Sequence, residues 1–268
     1  MATRPLRIGL LLYPHCMPAG LLAFADMVHA ANRRAGRDLF QTRFVASRPD
    51  FIASAHGMSL KATGALRDRD LDAVLVPGFW AESPQQAVDA LVKSSDVVAG
   101  LAGLPGTTAI WGYCTGVCLL AAAGKLNGQR ATVTWWLADT MRQRHRKVRW
   151  QSEQTCIVNL RNATASGVNG YLPIAQAVIE KYLSRDAFRD LTKLMVLPRP
   201  EQIHIAFQTL SLVEQSDSVL RKLHAMVIDL PAAEITVQVL SAGLNTSTRT
   251  LARRVKLLTG CTVAAYVR

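Results

Sequence analysis

Residues 107–124 read TTAIWGYCTGVCLLAAAG, and their character changes at Cys114. Thr107 to Tyr113 is a short apolar run of the kind that forms a buried parallel strand. Thr115 to Gly124 is apolar and closes on glycine, which predicts a helix. Gly112 and Gly116 stand two residues before and two after the cysteine. A nucleophile-type residue with small neighbours at that spacing is the elbow arrangement, a tight strand-to-helix turn that tolerates little side-chain bulk. Such a turn holds Cys114 over the carboxyl edge of a parallel sheet, where α/β folds bind their ligands. It also aims free N–H groups at the sulfur, which predicts a thiol biased towards thiolate.

Working outward, the same alternation recurs. Arg7 to Tyr13 (RIGLLLY), Gln41 to Ser47 and Leu71 to Pro77 (LDAVLVP) read as strands. Pro18 to Arg34 and Pro84 to Lys93 read as helices, the latter with proline in its first turn. Val148 to Leu160 reads as a strand pair and Pro173 to Leu183 as a helix. Strands alternating with helices imply an α/β fold, a parallel sheet covered on both faces.

After Leu197 the pattern changes. Pro198-Arg199-Pro200 begins a linker, taken as 198–216. From Asp217 the chain is all helical in pattern. Val219, Leu220, Leu223, Val227 and Leu230 recur at helical spacing before Pro231. Ile235 to Ala242 is a short helix ended by Gly243, and the Ser247 hydroxyl can cap the next one. In that helix Leu251, Val255 and Leu258 share a face, with Arg249, Arg253 and Lys256 roughly opposite at about 100° per residue. A short helix, a glycine-containing turn and a helix with a basic outer face make the helix-turn-helix pattern.

Composition narrows the function. The 268-residue chain is half hydrophobic and only 19% charged, which excludes wholesale disorder. Its net charge of +12 favours an acidic partner, nucleic acid before anionic membrane. Residues 217–268 hold seven basic and three acidic groups, so +8 of that excess lies in the larger part. Five of the eight residues from Arg142 to Arg149 are basic, which reads as a solvated helix end and loop or as a phosphate-facing patch. No apolar run is long enough for a membrane span, and no signal peptide opens the chain. The five scattered cysteines form no Cys-x-x-Cys pair, so neither zinc nor a disulfide scaffold is expected, and a cytoplasmic location fits. Nothing calls for a cofactor. His15, just after the first strand, is the histidine placed by pattern near the Cys114 edge.

The whole chain resembles a GlxA-type member of the AraC/XylS transcription regulators. The resemblance rests on LLYP (11–14), AANRRAGR (30–37), VLVPGF (74–79), GYCTGVCLLAAAGKLNGQRAT (112–132), TASG (164–167) and STRTLARRVKLLTG (247–260) with Tyr266. It implies a flavodoxin-like parallel sheet sandwich of the ThiJ/PfpI type over residues 1–197, then a small all-α helix-turn-helix domain over 217–268. It implies a ligand pocket around Cys114, Tyr113, His15, Asp26 and Thr134. Asp26 falls where such domains carry a glutamate that hydrogen-bonds the cysteine. Thr134 falls where they carry a histidine, and threonine has no pKa near neutrality to serve as base. The implied function is therefore a non-catalytic domain sensing a small-molecule effector, joined to a domain that binds double-stranded DNA through Ser247, Thr248, Arg249, Thr250, Arg253 and Lys256, with a homodimer expected. The sequence ends at Arg268, where the family's joining helix would begin, so only the first helix-turn-helix is expected. The other readings are a cysteine-dependent hydrolase or hydratase of the ThiJ/PfpI superfamily and an interaction protein that does not bind DNA.

Overall fold

Strand β1 (Leu6–Leu11) enters the centre of the protein with Ile8, Leu10 and Leu11 almost wholly buried. A continuous apolar run suits that position, because a parallel strand covered on both faces has no solvent side. The computed structural model describes residues 4–198, 218–231, 234–259 and 262–267. Helix α1 (Ala19–Ala35) follows and buries Leu21, Phe24, Met27, Val28 and Ala31 along one stripe. Gly36, at φ 67°, ends it in the left-handed conformation that glycine adopts without a Cβ penalty. The Asn32 side chain then accepts from the Leu39 and Phe40 amides and donates to the Phe40 carbonyl, fixing the approach to β2 (Phe40–Ala46).

The remaining elements of this part are β3 (Phe51–Ala53), β4 (Ser59–Lys61), β5 (Gly64–Ala65), β6 (Ala73–Val76), α2 (Pro84–Lys93), α3 (Ser95–Ala102), β7 (Ala109–Tyr113), α4 (Gly116–Ala122), β8 (Arg130–Ala131), α5 (Ala138–Arg144), β9 (Arg149–Trp150), β10 (Cys156–Val158), β11 (Asn162–Ala165), α6 (Tyr171–Glu180) and α7 (Arg185–Leu194). Seven strands form one sheet in the order β10-β11-β7-β6-β1-β2-β5. Every pairing is parallel except β10 with β11 at the edge. The expected flavodoxin-like parallel sheet, with helices packed on it, is the fold observed.

One stretch departs from expectation. Val148 to Leu160 is not a strand pair. β9 pairs with β8 in a separate two-stranded sheet, while β10 pairs with β11. A turn closed by the Gln154 amide and the Gln151 carbonyl separates the two. The partner of β10 is Asn-Ala-Thr-Ala, whose composition carries little β-propensity and whose strand state is set by β7 beside it.

At the amino-terminal ends of the central strands β1 and β6 the Arg4 guanidinium donates to both Asp72 carboxylate oxygens at 2.8 and 2.7 Å, and the Arg7 amide adds a third bond at 2.9 Å. Burial pushes the Asp72 carboxyl up, but these donors outweigh it and hold the group below the ordinary aspartate range. A depressed carboxylate contributes stability above its unfolded pKa of about 3.9 and loses it as pH falls through the folded value. Asp72→Asn is therefore expected to lower the unfolding temperature at pH 7, with the gap to the parent closing as the pH is taken below about 4. A gap that stays constant down to pH 2 would assign the effect to packing rather than to charge.

The chain divides into two compact units, Met1–Ile203 and His204–Arg268. The expected linker, 198–216, falls almost entirely outside the described residues. The second unit contains α8 (Ser218–Asp229), α9 (Val237–Gly243), α10 (Thr248–Thr259) and α11 (Val263–Tyr266). Leu220, Leu223, Leu240, Leu251, Val255 and Val263 form its buried centre. The Thr236 hydroxyl caps α9 at Val239 N, and the Ser247 hydroxyl caps α10 at Thr250 N. Gly243 ends α9 as expected, yet the left-handed residue of the turn is Asn245, at φ 50°. Gly243 instead leaves room for Met226, whose Cε would stand only 2.1 Å from an added Cβ. The side chain of Leu258, expected on the apolar face, lies outside the described residues.

Candidate functional site

Cys114 follows β7 directly and has φ 55°, a conformation rare for a residue with a side chain. Its amide is held by the Ala165 carbonyl at 3.0 Å. Three glycines make the turn possible. A Cβ on Gly116 would lie 2.3 Å from the Pro77 carbonyl oxygen, one on Gly112 would lie 2.7 Å from Leu120 Cδ1, and one on Gly78 would lie 2.9 Å from Cys114 Cβ. The Thr115 hydroxyl locks β6's exit to the turn, donating to the Phe79 carbonyl at 2.6 Å and accepting from its amide at 2.7 Å. The elbow geometry is thus enforced by close backbone approach, with strain held at one residue.

The expected thiolate bias does not appear. Burial pushes the Cys114 thiol up, and hydrogen bonds from Thr115 and from the Thr134 hydroxyl offset this only in part. Cys114 remains half-buried, whereas Cys16 and Cys118 are fully enclosed.

Thr134 is buried beside Cys114 and also accepts from the Gly167 amide at 3.4 Å. The structure therefore joins Cys114 with Thr134. Tyr113 sits behind them, buried, with its ring edge-on to Tyr171 at 6.0 Å. Its hydroxyl has no hydrogen-bond partner among the described residues. Asp26 is not brought to the cysteine: it is exposed on the outer side of α1. The α1 residue that meets the elbow is Gly20, where an added Cβ would stand 2.4 Å from the Tyr113 hydroxyl. Six residues separate Gly20 from Asp26, which turns Asp26 about 120° away around the helix.

His15 follows β1. With φ 63°, it is exposed at the end of the loop after β1 and lines a cavity of about 1180 Å³. The cavity opens at the carboxyl ends of β1, β2 and β6, the point where strand order reverses and α/β folds bind ligands. His56, Trp80, Arg48, Lys93 and Asp89 share its wall, while Cys114 and Thr134 stand outside it. His56 also has a left-handed backbone, φ 62°, and Trp80 is 69% exposed. Neither residue stands out by spacing or motif; only the folding of β3, β4 and the β6 exit over one edge brings them to His15. Among the described residues no group of three or more His, Cys, Asp or Glu side chains could hold a metal ion. No helix among them is long and apolar enough to cross a membrane.

In the second unit Ser247, Thr248, Arg249, Thr250, Arg253 and Lys256 are all exposed along α10. Arg249, Arg253 and Leu257 fall at i, i+4 and i+8, one outward row, and Leu257 is 82% exposed. Sequence reasoning passed over Leu257, an apolar residue on the basic face. Neither arginine of the row makes an ion pair with a described residue.

No family model matches the chain, and no curated protein does. Among solved structures it is similar to an AraC family transcriptional regulator from Pseudomonas putida, at 19% identity and a TM-score of 0.55, over 71% of this chain and all of that one. It is similar to a ThiJ/PfpI family protein from Pseudomonas syringae at 17% identity and a TM-score of 0.59, covering 99% of this chain and 91% of that one. Drosophila melanogaster DJ-1beta is similar at 16% identity and a TM-score of 0.57, over 73% of this chain and all of that one. At such identities the likeness establishes the fold alone, a flavodoxin-like α/β unit with a mostly parallel sheet.

Proposed function

We propose that the chain is a ligand-responsive transcriptional regulator. Residues 1–197 sense a small-molecule effector without turning it over, and residues 217–268 bind double-stranded DNA, in a cytoplasmic homodimer. The observation that carries this reading is the outward row of α10. A capped helix follows a short helix and a turn, and presents Arg249, Arg253 and an exposed leucine to solvent. Arginine there suits bidentate contact with guanine or phosphate, and an apolar side chain suits a thymine methyl group. Ser247, Thr248, Thr250 and Lys256 supply phosphate contacts around the row. The likeness of the α/β unit to an AraC family regulator is consistent with this assignment.

The sensing role rests on the α/β unit. Its cavity at the strand-order reversal, with His15 at the wall, is the proposed effector site, and Cys114 with Thr134 forms a neighbouring elbow. Turnover is assigned no role because the sulfur faces a threonine, which cannot accept its proton as imidazole does.

Binding of the full chain to a duplex carrying its gene's upstream region tests the reading. Arg249→Ala and Arg253→Ala are each expected to weaken binding by about 1–3 kcal/mol where the arginine reads a base, and less where it contacts phosphate. Affinity unchanged in both variants would place the DNA contacts on another element.

A further inference from the structure

The α/β unit carries a basic surface that neither its cavity nor its elbow uses. It is built where α5 ends and the chain folds back along β8. The Lys147 carbonyl accepts from the Gly128 amide at 2.7 Å, the Arg149 amide donates to Gln129 at 2.9 Å, and Arg149 pairs with Arg130 across the two-stranded sheet. Lys147 and Arg149 therefore lie beside residues 128–130, Arg144 and Arg146 precede them directly along the chain, and Arg130, Arg144, Arg146, Lys147 and Arg149 are all exposed. Of the basic groups in this stretch only Arg142 has a carboxylate within ion-pair reach among the described residues, Asp139 at 2.6 Å. Like charges facing each other across a strand pair, as Arg130 and Arg149 do, repel unless an anion lies over them. Burial lowers the His145 pKa, and the charge of Arg144 lowers it further, as a locally positive field would.

We propose that this surface is a second contact for duplex DNA, gripping the phosphate backbone without reading bases. Four of its five cations are arginines, whose planar fork matches a phosphate better than a lysine does. Val148 is buried, so the run from Arg142 to Arg149 offers no apolar side chain to a lipid surface. The choice of DNA over another polyanion rests on the DNA-binding role proposed for α10. Because backbone contact releases counterions, it acts through the salt dependence of binding more than through sequence preference.

The test compares the full chain with a patch variant (Arg144→Ala, Arg146→Ala, Lys147→Ala, Arg149→Ala), an α10 variant (Arg249→Ala, Arg253→Ala) and the two combined. Each binds a duplex of random sequence between 50 and 300 mM salt, and thermal unfolding checks that each is folded. The slope of log affinity against log salt falls by roughly 0.9 for each phosphate that the protein no longer neutralises. The patch variant is expected to fall by about 2–3.5 in slope, the α10 variant by less than about 2, and the combined variant by the sum. Arg146→Lys is expected to retain the parent slope, and Arg146→Glu to reduce it more than alanine does. A patch variant with the parent slope, beside an α10 variant of weakened affinity, would overturn the second contact and leave the proposed function standing. A patch effect without an α10 effect would keep the patch and overturn the role given to α10. Patch-dependent binding to phosphatidylserine vesicles, with no change on DNA, would reassign the surface to a membrane.

Discussion

Leu251→Ala is expected to unfold the small helical unit while the α/β unit stays folded. Leu251 belongs to a buried centre that comprises, among the described residues, only Leu220, Leu223, Leu240, Leu251, Val255 and Val263. Truncating a buried leucine to alanine costs about 2–5 kcal/mol. A core this small rarely supplies more than about 3–5 kcal/mol in total, so one such loss is comparable with the whole. All five tryptophans (Trp80, Trp111, Trp135, Trp136 and Trp150) lie in the first unit, which separates the two signals. The variant is expected to keep the parent's tryptophan emission and its unfolding transition, to lose part of the helical circular dichroism, and to lose retention on DNA. Leu257→Ala on the same helix removes an exposed side chain and is expected to leave the dichroism unchanged. Full helical content in Leu251→Ala would mean that the unit draws its stability from elsewhere.

The second large effect is expected from one methyl group at the elbow. Gly116→Ala would gain stability at an ordinary helical position, since alanine is favoured over glycine by about 1 kcal/mol. Here the added Cβ meets the Pro77 and Val76 carbonyl oxygens at 2.3 and 2.6 Å. Backbone atoms at the end of a central strand cannot rotate away as a side chain can, so the steric cost wins. Overpacking of this kind costs about 1–3 kcal/mol or more, which for a unit of this size lowers the unfolding temperature by roughly 2–12 °C. The distortion also pulls Cys114 off the turn, so thiol labelling is expected to change with stability. Gly106→Ala, where an added Cβ meets nothing within 4 Å, is the matched control and is expected to be near neutral. Equal unfolding temperatures for the two variants would show that the elbow yields more easily than its contacts imply.

Local pattern made much of the fold legible. The runs around Ile8, Val74 and Ile110 are apolar because both faces of a central strand are covered, and periodicity alone marks such runs. Pro84 to Lys93 carries a proline in its first turn and forms α2 over those same residues, where the structure adds a Ser83 cap. Ser247 likewise announced α10, because a capping hydroxyl acts on an amide three residues away. Where the deciding neighbour is distant in sequence the signal was missing. Asn162–Ala165 is a strand because β7 and β10 lie beside it.

For the site the division is sharper. The sequence by itself determined that Cys114 would sit on a tight strand-to-helix turn, because Gly112 and Gly116 are needed within two residues of it. It determined as well that α10 would carry a basic face opposite an apolar one, because helical spacing is local. Only the tertiary structure decided that Asp26 faces away while Gly20 meets Tyr113, that His15 joins His56 and Trp80 in a cavity that Cys114 does not line, and that the thiol is pushed up rather than down. Those outcomes depend on which surfaces meet across the fold and how much water they exclude, and desolvation is a property of the assembled environment that no residue carries in its own position along the chain.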